Sequence, residues 1–281
     1  MNGNNEPLRN IKTVNLSLNL PGPAAAAKLS RLGASVTKIE PPDGDPFREY
    51  CPSWYEALCT KQRVLHLDLK TAKGHDEMEH LLKESDLLLT SFRPSALEKL
   101  GFGWKELHSR YPRLCQVAIV GYPSPDHNKA GHDLTYQAVL GLLSPPHLPR
   151  TFLADLAGAE RAVSSALGLL YAREGGNGAG YIEVALSECA EYFTEPLRYG
   201  LSVPGGMFGG GLSRYNIYET RKGWIAVAAL EPHFWERLTE ELGFCQSDVS
   251  CAQLQEIFLT KNAAEWEAWA VTFDLPIVAV R

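Results

Sequence analysis

Near the middle of the chain, Gly131-His132-Asp133-Leu134 and Leu153-Ala154-Asp155-Leu156 set a histidine and two carboxylates at the edges of two expected helices. An imidazole titrates near neutrality and suits proton transfer, although a loop histidine can equally be spent on a backbone hydrogen bond. Asp133 and Asp155 each stand where a helix is expected to begin, and an aspartate there is ordinarily an N-cap. Glu231, ahead of Pro232, is in the same way a first-turn acid favoured by the helix dipole. Arg93, between Phe92 and Pro94, carries a guanidinium that can fork onto a phosphate, or it is a surface arginine. Residues 205–211 read Gly-Gly-Met-Phe-Gly-Gly-Gly, which suits either a mobile lid or a linker.

These residues need a scaffold, and the first 120 residues alternate strand and helix patterns. Strands are predicted at 14–20, 35–40, 64–69, 86–90 and 114–120. An alanine-rich helix after Pro21-Gly22-Pro23, closed by Leu32-Gly33, and another over 71–83 lie between them. Helices of that length between strands imply a parallel sheet with covering helices. A polar loop at 122–130 then leads to a helical segment ending near Leu143. A proline-rich connector, a long helix over 154–173 and a strand over 181–186 follow. Beyond the glycine cluster, 215–220 and 224–229 read as a hairpin around Arg221-Lys222-Gly223, with helices over 232–242 and 263–271. The predicted organisation is a large Rossmann-like α/β domain over residues 1–200 and a smaller α+β domain over 201–281.

Composition narrows the function. The 281 residues are 45% hydrophobic and 21% charged, with a net charge of −6 and no basic stripe, so nucleic acid is not an expected partner. The six cysteines have no metal-ligand spacing and no metal is expected; they read as reduced thiols of a cytoplasmic protein. The polar start, residues 1–7, lacks the apolar run of a secretory leader, and no apolar stretch is long enough for a bilayer, so no membrane partner is expected. The first strand-to-helix turn, Leu20-Pro21-Gly22-Pro23, is not GxGxxG. Its prolines remove amide donors that would cradle a pyrophosphate, which disfavours a dinucleotide dehydrogenase.

Taken in order, several segments resemble the family III CoA-transferases, a superfamily that includes the alpha-methylacyl-CoA racemases. They are Leu20-Pro21-Gly22-Pro23, Leu32-Gly33-Ala34, Lys38-Ile39-Glu40-Pro41-Pro42, Leu67-Asp68-Leu69-Lys70, Phe92-Arg93-Pro94 with Leu100-Gly101-Phe102-Gly103, Gly131-His132-Asp133-Leu134, and Glu231-Pro232 followed by Phe234. The resemblance implies a large and a small domain in an interlocked homodimer. The family usually returns a C-terminal segment to the large domain. This chain stops at Pro276-Ile277-Val278-Ala279-Val280-Arg281, near where that return would begin, and is expected to be a short member.

The resemblance also implies roles. In a CoA-transferase reading, Asp133 attacks the acyl-CoA and carries an aspartyl intermediate while CoA passes to a small carboxylic acid. In a 2-methylacyl-CoA racemase or epimerase reading, His132 and Asp155 stand on opposite faces of the α-carbon, with Glu231 as a further active-site carboxylate. A non-catalytic CoA-binding paralogue is the third reading. It is motivated by Cys59 and Ser91 standing where the family has asparagines. Arg93, Lys61, Arg63 and Lys38 are the implied contacts to coenzyme A, which would be substrate or product; no tightly bound cofactor is implied. Transfer is ranked first, on the glycine cluster and the family's majority activity.

Overall fold

Lys12–Leu16 (β1) and Ser35–Glu40 (β2), each buried over most of its length, pair in parallel register, with Val14 opposite Thr37. Arg63–His66 (β3), Leu87–Thr90 (β4), Cys115–Val120 (β5) and Tyr181–Ala185 (β6) complete a six-stranded, wholly parallel sheet in the order β3-β2-β1-β4-β5-β6. The computed structural model describes residues 6–245 and 248–281. Most of the polar start read above as lacking a leader, residues 1–5, lies outside them.

Central strands of such a sheet are covered on both faces, and β4 and β5 are buried at every position. One face packs against the helices Pro21–Arg31 and Leu153–Ala172. Their facing residues are small (Ala24 to Ala27 on one; Gly158, Ala159 and Ala162 on the other), so the two backbones come close over Leu87, Leu89, Val117 and Ile119. Gly158 lets the Leu186 side chain lie against the helix, since a Cβ there would force the end of that side chain to shift. The other face carries Met78, Leu82, Leu97, Phe102 and Leu107, set against Val14, Leu16 and Leu88. Two of the helices supplying these residues, Pro94–Lys99 and Trp104–Arg110, are too short to show helical periodicity in sequence.

Strand order reverses between β1 and β4, and at such a switch point the loops leaving neighbouring strands diverge and open a crevice. β1 ends at Leu16, earlier than the predicted 20. The residues after it form a turn in which Asn19 takes φ 65°, the left-handed region.

The chain divides into two units, Met1–Thr194 and Glu195–Arg281. The second is built on an antiparallel sheet of Tyr215–Glu219 (β7), Trp224–Ala228 (β8) and Ile277–Ala279 (β9), in that order. Its core joins Ile225 and Val227 to Trp235, Leu238, Phe258 and Trp266 from three helices, and the Trp266 indole donates to the Phe258 carbonyl at 2.8 Å. The hairpin falls at the predicted Arg221-Lys222-Gly223, with Gly223 at φ 91°. Among the described residues no helix is long and apolar enough to cross a membrane.

Candidate active site

A cleft of about 270 Å³ opens at the carboxyl ends of β1, β4 and β5, at the switch point. Its wall includes Asn19, Arg93, Lys129, His132, Tyr136 and Asp155. His132 and Asp155, expected from sequence, are thus brought to one cavity. His132 occupies the N-cap position of the helix Asp133–Val139. Its backbone N–H donates to Thr135 Oγ1 at 3.0 Å, and the threonine hydroxyl returns a bond to the His132 carbonyl at 2.7 Å. The backbone is fixed in this way, and His132 is among the residues that line the cleft.

The two aspartates take different places. Asp133, anticipated as the nucleophile, is 6% exposed and does not line the cleft. One of its carboxylate oxygens accepts from the backbone N–H groups of Ala154 at 2.7 Å and Asp155 at 3.2 Å; the other accepts from Gln137 Nε2 at 2.6 Å. Asp133 therefore caps the long helix Leu153–Ala172 from another element, taking two of the amide donors that a helix start leaves orphaned. Asp155 is not that helix's cap. It sits in the first turn, half-buried, with its side chain at the cleft. Burial, and then the neighbouring charge of Asp133, push the Asp155 carboxyl up to about 7. It is an acid poised to hold or release a proton near neutrality.

The expected CoA contacts separate. Arg93 lines the cleft, exposed, just before the helix Pro94–Lys99. Lys38 is fully buried instead. Its ammonium lies 2.7 Å from Glu40 Oε1 and 2.6 Å from Asp45 Oδ2, over the Tyr55 ring, so it cannot reach a ligand. Arg63 opens β3 and lines a groove with Lys12, Ser35 and Glu84, at the amino ends of the strands and so at the end of the sheet opposite the cleft. Lys61, exposed in the turn two residues before it with φ 63°, stays there too. Sequence spacing could not reveal this, because both ends of a strand are local to it. Glu231 stands at the N-cap position of the helix Pro232–Glu241 in the second unit.

Residues 205–211, also in the second unit, form a self-bonded loop. Gly205 donates to the Gly209 carbonyl at 2.8 Å, Gly211 to Gly206 at 2.9 Å, and Phe208 to Leu201 at 2.8 Å.

Lys129 and Tyr136 were not singled out in sequence. Lys129 lies in the polar loop just ahead of Gly131, its ammonium 4.7 Å from the Tyr122 ring. Tyr136 is four residues after His132 on a helix, a spacing that could have suggested a shared face. A second cavity of about 330 Å³ lies beside the cleft, over the carboxyl ends of β1 to β3. It is lined by Leu16, Pro41, Leu67, Lys70 and Phe92, and Phe92 borders both cavities.

The described residues thus combine a parallel sheet with a switch-point cleft lined by an aspartate, a histidine and two cationic side chains. Residues 8–281 match CoA-transferase family III, and the chain belongs to that family. Its curated relatives include both chemistries of the superfamily. Human alpha-methylacyl-CoA racemase is 33% identical, over 92% of this chain and 74% of the relative. The succinyl-CoA–D-citramalate CoA-transferase of Chloroflexus aurantiacus is 27% identical over 84% of this chain, which spans 65% of that enzyme's length. In fold, the chain is similar to a hypothetical protein of Mycobacterium tuberculosis, with TM-score 0.87, 24% identity, and 98% of this chain and 85% of that one covered. A CAIB/BAIF family protein from Brucella suis superposes with TM-score 0.83 at 21% identity, covering 99% of this chain and 84% of that one.

Proposed function

We propose that the protein moves the α-proton of an acyl-CoA thioester, racemising or epimerising a 2-methylacyl-CoA, with Asp155 and His132 as the proton-transferring pair. The observation that carries this reading is that both side chains line one cleft while Asp155 holds its proton to about pH 7. A pair that exchanges a proton works best when each member can be either acid or base at the working pH. One member takes the α-hydrogen as a proton. The C–H electron pair moves onto the thioester oxygen as an enolate. The other member then returns a proton to the opposite face, and the pair has exchanged protonation states. Arg93 and Lys129 supply positive charge for the phosphates of CoA, and the trough shared across Phe92 suits its nucleotide end.

CoA transfer to a small carboxylic acid is the second reading, favoured by the same cleft-lining carboxylate. Because Asp133 is committed to capping, the nucleophile in that case is Asp155, which is open to the cleft and partly desolvated. One experiment separates the two. The protein is incubated with a single enantiomer of a 2-methylacyl-CoA in D2O, and the α-carbon is followed by NMR alongside intact-protein mass after a hydroxylamine quench. Deuterium entering the α-position with loss of optical purity is the expected result. No deuterium, but an adduct that Asp155→Asn abolishes, overturns it in favour of transfer. Binding of CoA with neither signal leaves a binding protein.

A further inference from the structure

The cleft wall holds a polar group that the proton-transferring pair does not use. Tyr136 follows His132 by one helical turn and donates its backbone N–H to the His132 carbonyl at 3.2 Å, so the two residues are held in fixed relation. Its ring is buried, at 2% exposure, and meets Tyr122 edge-on with centroids 5.2 Å apart. Two cleft-lining glycines make room for it. A Cβ at Gly121 would stand 2.5 Å from the phenol oxygen, and one at Gly131 would stand 2.8 Å from that oxygen and 2.9 Å from the ring carbon bearing it. The backbone is thus pressed against the phenol from two loops, which fixes its direction. Among the described residues the hydroxyl has no hydrogen-bond partner, although Tyr136 lines the same cleft as Asp155. A buried tyrosine ordinarily spends its O–H inside the protein; one left unspent at the mouth of a cleft is a donor offered to a ligand. Burial, followed by the nearby Tyr122 and the charges of Asp155 and Asp133, pushes the phenol up to about 12, so it keeps its proton at every working pH.

We infer that Tyr136 is a further catalytic residue, whose O–H donates a hydrogen bond to the thioester oxygen as that oxygen gains charge. The inference rests on the α-proton reading above. As the C–H bond breaks, its electron pair moves through the α-carbon to the carbonyl oxygen. Tyr136 stabilises that oxygen without giving up its proton, so no further acid or base is consumed. A preorganised donor aimed at developing charge contributes about 10²- to 10³-fold.

The test is Tyr136→Phe in the full chain, which removes one oxygen and keeps the ring in its cradle. Three readouts are taken: the rate of deuterium entry at the α-carbon under saturating 2-methylacyl-CoA, the KM for that substrate, and the affinity for a thioether analogue that has CoA but no carbonyl oxygen. The expected result is an exchange rate lowered about 100-fold with KM and thioether affinity within about twofold of the parent. Gly131→Ala, which must displace the phenol, is expected to lower exchange in the same way. Parent-like exchange in Tyr136→Phe overturns the inference. Equal losses in exchange and in thioether affinity overturn it as well, because they describe packing. No exchange in the parent protein overturns the α-proton reading itself, and the inference with it.

Discussion

Two pairs of carboxylates in the first unit, one buried and one reaching the cleft, behave in opposite ways. At the end of β2, Glu40 and Asp45 share the Lys38 ammonium. Every remaining oxygen contact is also a donor: Tyr55 O–H to Glu40 at 2.8 Å, and the backbone N–H groups of Asp45, Phe47 and Asn19 at 3.1, 3.0 and 2.9 Å. At the cleft, among the described residues Asp133 accepts from neutral amides, and both influences on Asp155 are upward. The difference teaches that a cation between two close carboxylates ties them into the framework, whereas burial and a neighbouring carboxylate raise a carboxyl toward neutrality. The first pair still serves the cleft, since Asp45 holds the left-handed Asn19 in its wall. It does so by fixing backbone, however, and contributes no chemistry.

The comparison is broken most severely by removing the cation. Lys38→Met leaves two buried acids facing each other and is expected to cost about 4 kcal/mol in chemical denaturation at pH 7. Lys38→Arg should recover less than half of that loss, because the guanidinium does not fit a site built for a point charge.

On the reactive side, Asp155→Asn removes the proton-holding acid. It should slow α-proton exchange by about 10²- to 10³-fold, equivalent to about 3–4 kcal/mol of activation energy. Its effect on stability has the opposite sign. The folded-state value of about 7 lies above that of an unfolded aspartate, so the stability this group contributes is complete at low pH and lost as pH rises through 7. The asparagine variant should therefore be more stable than the parent at pH 8, by about 1–2 kcal/mol, and no more stable near pH 4; denaturation at the two pH values checks this.

Asp133 lies between these extremes. Asp133→Ala strips two amides of the long helix of their acceptor and should cost about 1–2 kcal/mol in thermal unfolding. The smallest effect sharpens the comparison most. Asp133→Asn keeps an acceptor for the helix while removing the charge, so the break near pH 7 in the exchange-rate profile should move toward the ordinary aspartate range with stability nearly unchanged. A break that stays in place would mean that burial by itself sets the acidity of Asp155.

Much of the fold was legible. β2 falls on 35–40 as predicted, and β1, β4 and β5 are each within a few residues of prediction, because their apolar runs are bounded by turn residues. The helices Pro94–Lys99 and Trp104–Arg110 were not, since fewer than two turns carry no readable period, and β9 has only three residues. At the site, Arg93, His132 and Asp155 were legible as candidates from residue type and motif.

What the sequence determined by itself is the order of elements, the family and the small set of ionisable groups from which the site is drawn. Only the tertiary structure decided which of them line the cleft. Asp133 and Asp155 both precede or open a helix and are locally alike. The choice between them rests on a hydrogen bond spanning 21 residues, from the Ala154 amide to Asp133. Lys38 and Arg63 are likewise ordinary basic residues of strands. One is sealed by Glu40 and Asp45, and the other is carried to the amino end of the sheet. Burial and electrostatic environment are properties of packed neighbours, and local sequence does not contain them.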